Sequence, residues 1–456
     1  MRVNGPSGED AAPGRVHGTG AVIVAQLLLR TASAAGALAL GSYFVDLSRD
    51  GAPVGAVLLG VLSGLSFLAE LVLAPAAGSA SDRRGRRVFL IVAPLLAAAG
   101  ILLTPGASLI AAAPSVALVV VVVGTSRLLD GAGAAISAPA TLGLLADASD
   151  GDRARRGRVT SLYELSSSGG IALGAVAGPL LFGALGLWSF AVLCGVYVVA
   201  SVIVLIFVPP SPVGVSTPTR TRATDRIRVL LQPRLLAFLP AWIAVNAILG
   251  IWVTSQITFV LAGDRRAEGQ SFPGAFAGNE AGLSAVLGVY VLVFSLCILA
   301  WAFFIGRLPT VPVLFITVAG AIVASLGLML ANHGLPLAVA LPLVLLGVFL
   351  EAGFTPAALT HLSDISREYR ENRGLIMGAY SVVVGAGYLL GNVLGGVFAE
   401  WLLFDGLALL TMALAVVALV AIAAMAVVEK RSRAGDRRHG DESGTTSVAT
   451  DPNEHP

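Results

Sequence analysis

Lysine is nearly missing from this chain: among 29 basic residues only Lys430 is a lysine, and arginine supplies the rest. Charge of any kind is scarce. It makes up 12% of 456 residues, where a soluble domain carries about a quarter. Cysteine is reduced to Cys194 and Cys297, both inside apolar runs, which excludes a disulfide framework and leaves two inert thiols. There is no H-E-x-x-H zinc pair, no G-x-S-x-G elbow, no G-x-G-D aspartyl signature and no phosphate-binding loop. Those absences argue against a membrane enzyme and against an ATP-driven pump. The polar tails, 1–19 and 429–456, are too short for an appended sensor domain. No metal, cofactor or nucleic acid is expected as a partner, and a monomer is expected.

Apolar residues fill the gap. They form 56% of the chain, with a mean hydropathy of +0.87, and they come in runs of about twenty, the length one helix needs to cross hydrocarbon. The pattern predicts twelve spans, at 20–45, 54–77, 87–109, 115–146, 158–183, 188–208, 235–262, 281–305, 311–331, 335–362, 374–400 and 405–428. Arg30 interrupts the first run and many spans follow it, so span 1 is read as retained rather than as a cleaved signal peptide. The Pro/Thr/Arg segment 209–234 acts as a linker between bundles at 20–208 and 235–428, and both tails are expected to be disordered. With the N-terminus inside, nearly all arginines fall in cytoplasmic connections and only Arg49, Arg265 and Arg266 lie outside. Both termini are therefore expected to be cytoplasmic, in a multi-pass protein of the plasma membrane.

A shift of 217 residues aligns Pro139 with Pro356, Asp147 with Asp364, Arg153 with Arg370, Arg156 with Arg373 and Gly157 with Gly374. It continues through Tyr163 and Tyr380 to Gly170, Gly174 and Gly178, which meet Gly387, Gly391 and Gly395. One ungapped offset through a loop and into a helix implies two homologous halves. They are related by an axis along the membrane normal, with a substrate site between them.

Between spans 2 and 3, Gly78-Ser79-Ala80-Ser81-Asp82-Arg83-Arg84-Gly85-Arg86-Arg87 is a charged turn in which Gly78 and Gly85 allow a sharp bend and close approach. Asp82 can cap a helix or hold an arginine. The pattern G-x-x-x-D-x-x-G-R-R resembles the span 2–3 signature of the major facilitator superfamily of secondary transporters. The resemblance implies an all-α membrane fold of twelve helices in two pseudo-symmetric six-helix bundles. Span 4 contains Arg127-Leu128-Leu129-Asp130-Gly131-Ala132-Gly133, similar to the superfamily's R-x-x-x-G-x-G motif, in which the arginine is linked to proton coupling. Span 5 contains Gly174-Ala175-Val176-Ala177-Gly178-Pro179 and, further on, Gly183. This G-x-x-x-G-P core resembles the motif of the proton-coupled antiporter branch. Small residues four apart let helices touch backbone to backbone, and Pro179 permits a bend. Span 11 repeats the spacing at Gly387, Gly391 and Gly395, which raises a pairing of spans 5 and 11 across the halves.

Charges inside apolar spans are costly and usually face a polar cavity or a partner. Arg127 and Asp130, three residues apart, share one helical face; they either bias a carboxylate's proton affinity as the protein changes state or form a static lock. Arg30 and Glu70 lie at similar depth, roughly 12–15 Å in, at ~1.5 Å per residue; they either gate or bind an ionic substrate, or simply neutralise each other. Exporters that resemble this chain often carry an acid in span 1, where this chain has Arg30; Asp46 is too shallow to replace it. Glu351 in span 10 is the clearest buried acid of the second half, with Asn246 and Gln256 of span 7 as weaker cavity residues. His333 and His361 are read as solvated helix-end residues, and Glu164 as a partner of loop arginines. Gly78, Asp82, Gly85, Arg86, Arg87, Asp147, Arg156, Gly157, Asp364, Arg373 and Gly374 are read as charge networks and turns that gate the cytoplasmic side.

The resulting expectation is alternating-access transport of a small organic or amphipathic molecule, driven outward by protons. Uptake or facilitated diffusion of a metabolite or organic anion, or movement of a lipid-like molecule, is the alternative. The topology has a direct check. In a variant lacking Cys194 and Cys297, a cysteine replacing Ser48 should react with an impermeant maleimide on intact cells. One replacing Ser79 should react only after permeabilisation.

Overall fold

In the computed structural model, residues 14–148, 153–210, 233–301, 303–305, 307–368 and 373–445 are described, and their regular structure is helical throughout. The first half consists of α1 (Gly14–Arg49), α2 (Ala56–Arg84), α3 (Arg86–Leu103), the short α4 (Gly106–Ile110), α5 (Val116–Ala148), α6 (Arg153–Leu185) and α7 (Trp188–Phe207). The second half comprises α8 (Pro233–Trp252), α9 (Ser255–Ala262), α10 (Glu280–Trp301), α11 (Thr310–Asn332), α12 (Leu337–Glu351), α13 (Phe354–Glu368) and α14 (Arg373–Thr445).

Eleven of these segments are long and apolar enough to cross a membrane. The last of them covers 47 residues, 382–428, about twice what one crossing needs. It is broken at Leu403, whose φ of 51° turns the chain back and makes two spans of it, so the crossings among the described residues number twelve. Span 7 is also broken, into α8 and α9. There the Thr254 hydroxyl donates to the Gly250 carbonyl (2.7 Å), taking up a helix-end acceptor. Span 10 divides at Gly353, where the Trp301 indole packs so closely that a Cβ would overlap it.

Backbone approach at glycine sets the register inside each half. On α6, a Cβ at Gly170 would lie 2.8 Å from the Leu27 carbonyl oxygen of α1, and one at Gly174 would lie 2.6 Å from that of Thr31. On α14, Gly387 meets the Ile243 carbonyl of α8 (2.9 Å to a Cβ), and Gly391 meets that of Ala247 still more closely. The facing carbonyls are 216 residues apart in both pairs, so the repeat holds in three dimensions. Arg30, beside Gly170, therefore has Asn246, beside Gly387, as its counterpart.

Among the described residues, spans 5 and 11 do not pack on each other. Their small faces are used within each half, against α1 and α8, where the helices must stay together. Across the halves, α14 lies on α2, with the Phe67 and Tyr388 rings 5.1 Å apart. Likewise α6 lies on α10, with Gly183 against the Glu280 side chain and Val176 against Gly288. Periodicity locates a close-packing face but carries no label for its partner.

Overpacking such a contact costs about 1–3 kcal/mol. Gly174→Leu and Gly387→Leu should each lower the melting temperature and the monodisperse yield in detergent. Gly195→Leu, at a site with open space around it, should change neither.

Candidate functional site

The R-x-x-x-G-x-G segment of α5 is clamped between two neighbours. Gly131 lies against the Ser66 backbone of α2, and Gly133 against the Ala93 carbonyl of α3 (2.7 Å to a Cβ). No side chain fits at either position, so α5 approaches both helices and turns Arg127 and Asp130 inward. Arg127 is 2% exposed and Asp130 7%. They form an ion pair, Nη1 to Oδ2, of 3.6 Å. The Tyr197 hydroxyl of α7 donates to the other Asp130 oxygen at 3.0 Å. Nε and Nη2 of Arg127 have no hydrogen-bond partner among the described residues.

Arg127 and Asp130 line a cavity of about 60 Å³ together with Arg30 of α1 and Ser63, Phe67 and Glu70 of α2. The second half contributes Thr254 and Asn392. Arg30 lies within electrostatic reach of Glu70 and Tyr163, and Glu70 within reach of Asp130. No direct ion pair within 4 Å joins Arg30 to Glu70, and the Arg30 Nε is also without a partner. Four charges thus surround one small space, with a single direct pair among them.

The other expected cavity residues lie elsewhere. Asn246 donates to the Trp242 carbonyl of its own helix (2.8 Å). Gln256 donates to the Ala56 carbonyl across the halves (3.1 Å). Glu351 sits at the α12 terminus near Tyr290, apart from the cavity. His361 is buried rather than solvated, with its ring edge-on to Phe238 at 4.9 Å, because α13 folds back onto α8. His333 is half-exposed and bonded to Asp405 (2.7 Å). Glu164 is exposed and within reach of Arg30.

At the charged turn, Gly85 takes a φ of +90°, which favours glycine and breaks α2 from α3. Gly78 rests on the Pro139 ring, the Arg86 guanidinium on Gly143, and Arg87 Nη2 donates to the Leu205 carbonyl (2.6 Å). The turn is thus held by α5 and α7 of its own half. Asp82, Asp147, Arg156, Gly157, Asp364, Arg373 and Gly374 fall within helices, but their surroundings lie outside the described residues. Pro179 lies inside α6. A Cβ at Gly395 would make only an ordinary contact with Ile251.

Sequence reasoning missed the residues that join the halves. Arg49 grips Asp264 with two bonds, of 2.7 and 2.8 Å. Glu400 accepts from the Ala56 amide (2.7 Å) at the start of α2 and from Arg265 (2.6 Å). Deeper in, the Ser63 and Ser255 hydroxyls meet at 2.6 Å, and Thr258 donates to the Leu38 carbonyl (3.0 Å). Among the described residues, the cross-half hydrogen bonds gather at this end, away from the Gly78–Arg87 turn. The Arg49 guanidinium holds the Asp264 carboxyl below the usual carboxylate range. The signal available was the placement of Arg49 and Arg265 among so few charges on that side. Tyr197 and Asn392 had only the mark of a polar group in an apolar run.

Among solved structures, the fold is similar to that of the nucleoside transporter NupG, at 16% identity and a TM-score of 0.68, over 90% of this chain and 98% of that one. It is similar to a bacterial homologue of the human lysosomal transporter Spinster in an inward-facing, unoccupied conformation, at 14% identity and a TM-score of 0.65, over 91% and 97%. A D-xylose–proton symporter matches at 14% identity and a TM-score of 0.63, over 89% and 96%. No curated protein sequence matches. The sequence model of the Major Facilitator Superfamily matches residues 22–271 and 270–452. Twelve crossings in two bundles and this match over nearly the whole length make the chain a member of the Major Facilitator Superfamily, a multi-pass membrane transporter and not an enzyme.

Proposed function

We propose that the protein moves a small organic molecule by alternating access, coupled to protons. The observation that carries this reading is the buried Arg127–Asp130–Tyr197 cluster on the wall of a cavity lined by both halves, whose cross-half hydrogen bonds, among the described residues, gather at one end. Protonation of Asp130 would remove its charge, free Arg127, and change the free-energy balance between two arrangements of the halves. Opening the joined end requires separating Arg49 from Asp264 and Glu400 from the Ala56 amide.

The G-x-x-x-G-P core of span 5 supports export in exchange for protons, across the plasma membrane with both termini cytoplasmic. Glu351, outside the cavity, is not assigned to the proton path. One observation favours a second direction, uptake of an organic anion with a proton: the guanidinium donors of Arg30 and Arg127 that no protein group accepts.

In everted vesicles with an inside-acid gradient, a substrate of an exchanger should dissipate the gradient in wild type, and Asp130→Asn should reduce that at least about tenfold, or ~1.4 kcal/mol of barrier. Substrate-dependent dissipation that survives Asp130→Asn would rule out the proton assignment. An exposed ion pair contributes about 0–1 kcal/mol. Asp264→Asn should therefore raise the labelling rate of a cysteine at Ser63 only a few-fold. Acidification through the lowered Asp264 range should have the same sign, because the pair is intact above that range and lost as the carboxylate is protonated.

A further inference from the structure

Two arginines facing one small cavity with donors to spare need an acceptor. Arg127 is 2% exposed, and its ion pair with Asp130 through Nη1 leaves Nε and Nη2 without a partner among the described residues. Arg30 leaves Nε unmatched on the same cavity. Buried donors without acceptors are costly, and a guanidinium edge matches a carboxylate or sulfonate through two parallel bonds. The volume of about 60 Å³ suits an oxyanion head rather than a lone water. From the second half, Asn392 gives its amide hydrogen to the Tyr388 carbonyl and leaves its own oxygen without a partner among the described residues, an acceptor for a hydroxyl or N–H.

We propose that this cavity binds the oxyanion head of the transported molecule, a carboxylate or sulfonate held by Arg30 and the free edge of Arg127, with a hydroxyl or N–H donor of the same molecule on Asn392. The proposal rests on the transport reading above and narrows its substrate to organic anions. The charges on the cavity, Arg30, Arg127, Glu70 and Asp130, sum to zero. Around Arg30 and Glu70 stand Tyr163 and the exposed, solvent-screened Glu164 from α6, and Tyr388 from α14. An entering anion leaves one negative charge in excess, which a proton on Glu70 cancels. Anion and proton then enter together, so the site favours the second direction named above, co-transport, over exchange.

The test is equilibrium dialysis of radiolabelled 4-hydroxybenzoate against the full-length protein in detergent, at pH 6 and pH 8. Saturable binding is expected at pH 6 and about tenfold weaker binding at pH 8, because proton and anion each favour the other's site. Excess 4-hydroxybenzamide, the neutral analogue, should not compete. Arg30→Gln should abolish binding, Arg30→Lys should retain part of it, and Lys430→Gln should leave it unchanged. Glu70→Gln should keep binding and remove its pH dependence. Absence of saturable binding, equal competition by the amide, or full binding in Arg30→Gln would overturn the proposal. If Arg30→Gln does not fold, the amide competition on wild type decides. The assay needs no gradient, so anion binding without proton-driven flux would sink the transport reading and leave the anion site standing.

Discussion

Glycine against a carbonyl, helix against helix, is the contact on which this molecule depends. In hydrocarbon no hydrophobic force drives one apolar helix onto another, so association rests on close packing and on satisfied polar groups. Gly170 and Gly174 bring α6 onto α1, and Gly387 and Gly391 bring α14 onto α8. The first contact presses directly on Arg30, the second on Asn246. The packing that holds each half together is thus also the packing that sets where the central polar residues stand.

The two halves share this frame and differ in chemistry. Arg30, Glu70, Arg127 and Asp130 all come from the first half, while the second lines the cavity with the neutral Thr254 and Asn392. A charge in low dielectric demands a partner, and gathering four in one half lets them compensate one another without crossing the interface. The interface is then free to be made and broken. Its bonds at the joined end include one hydroxyl pair, a helix-end amide on Glu400 and an exposed Arg49–Asp264 pair. Each is individually modest, which suits the opening that the proposed alternating access needs.

Much of this was legible in the chain. Runs of twenty apolar residues have one stable disposition, and a 217-residue offset through Pro139, Gly170 and Gly174 has one economical explanation. Arg127 and Asp130 were visible as a pair because three residues make one helical face. Arg30 and Glu70 were visible only as neighbours in depth, and they share the cavity without a direct ion pair. Spacing does not name what lies opposite the span 5 and span 11 glycines, and a helix-end position suggests solvent for His361, which the fold buries. Both concern what lies opposite a residue, which periodicity does not carry.

By itself the sequence determined the membrane-spanning class, the two-fold repeat and the identity of the charges committed to hydrocarbon, because burial in lipid constrains composition locally, residue by residue. Tertiary structure alone decided that Tyr197 reaches Asp130, that Arg49 meets Asp264 across 215 residues, and that Glu400 takes the amide of Ala56. Those contacts join distant spans, and each depends on the rotation and crossing of whole helices, which are set by the packing of all of them at once.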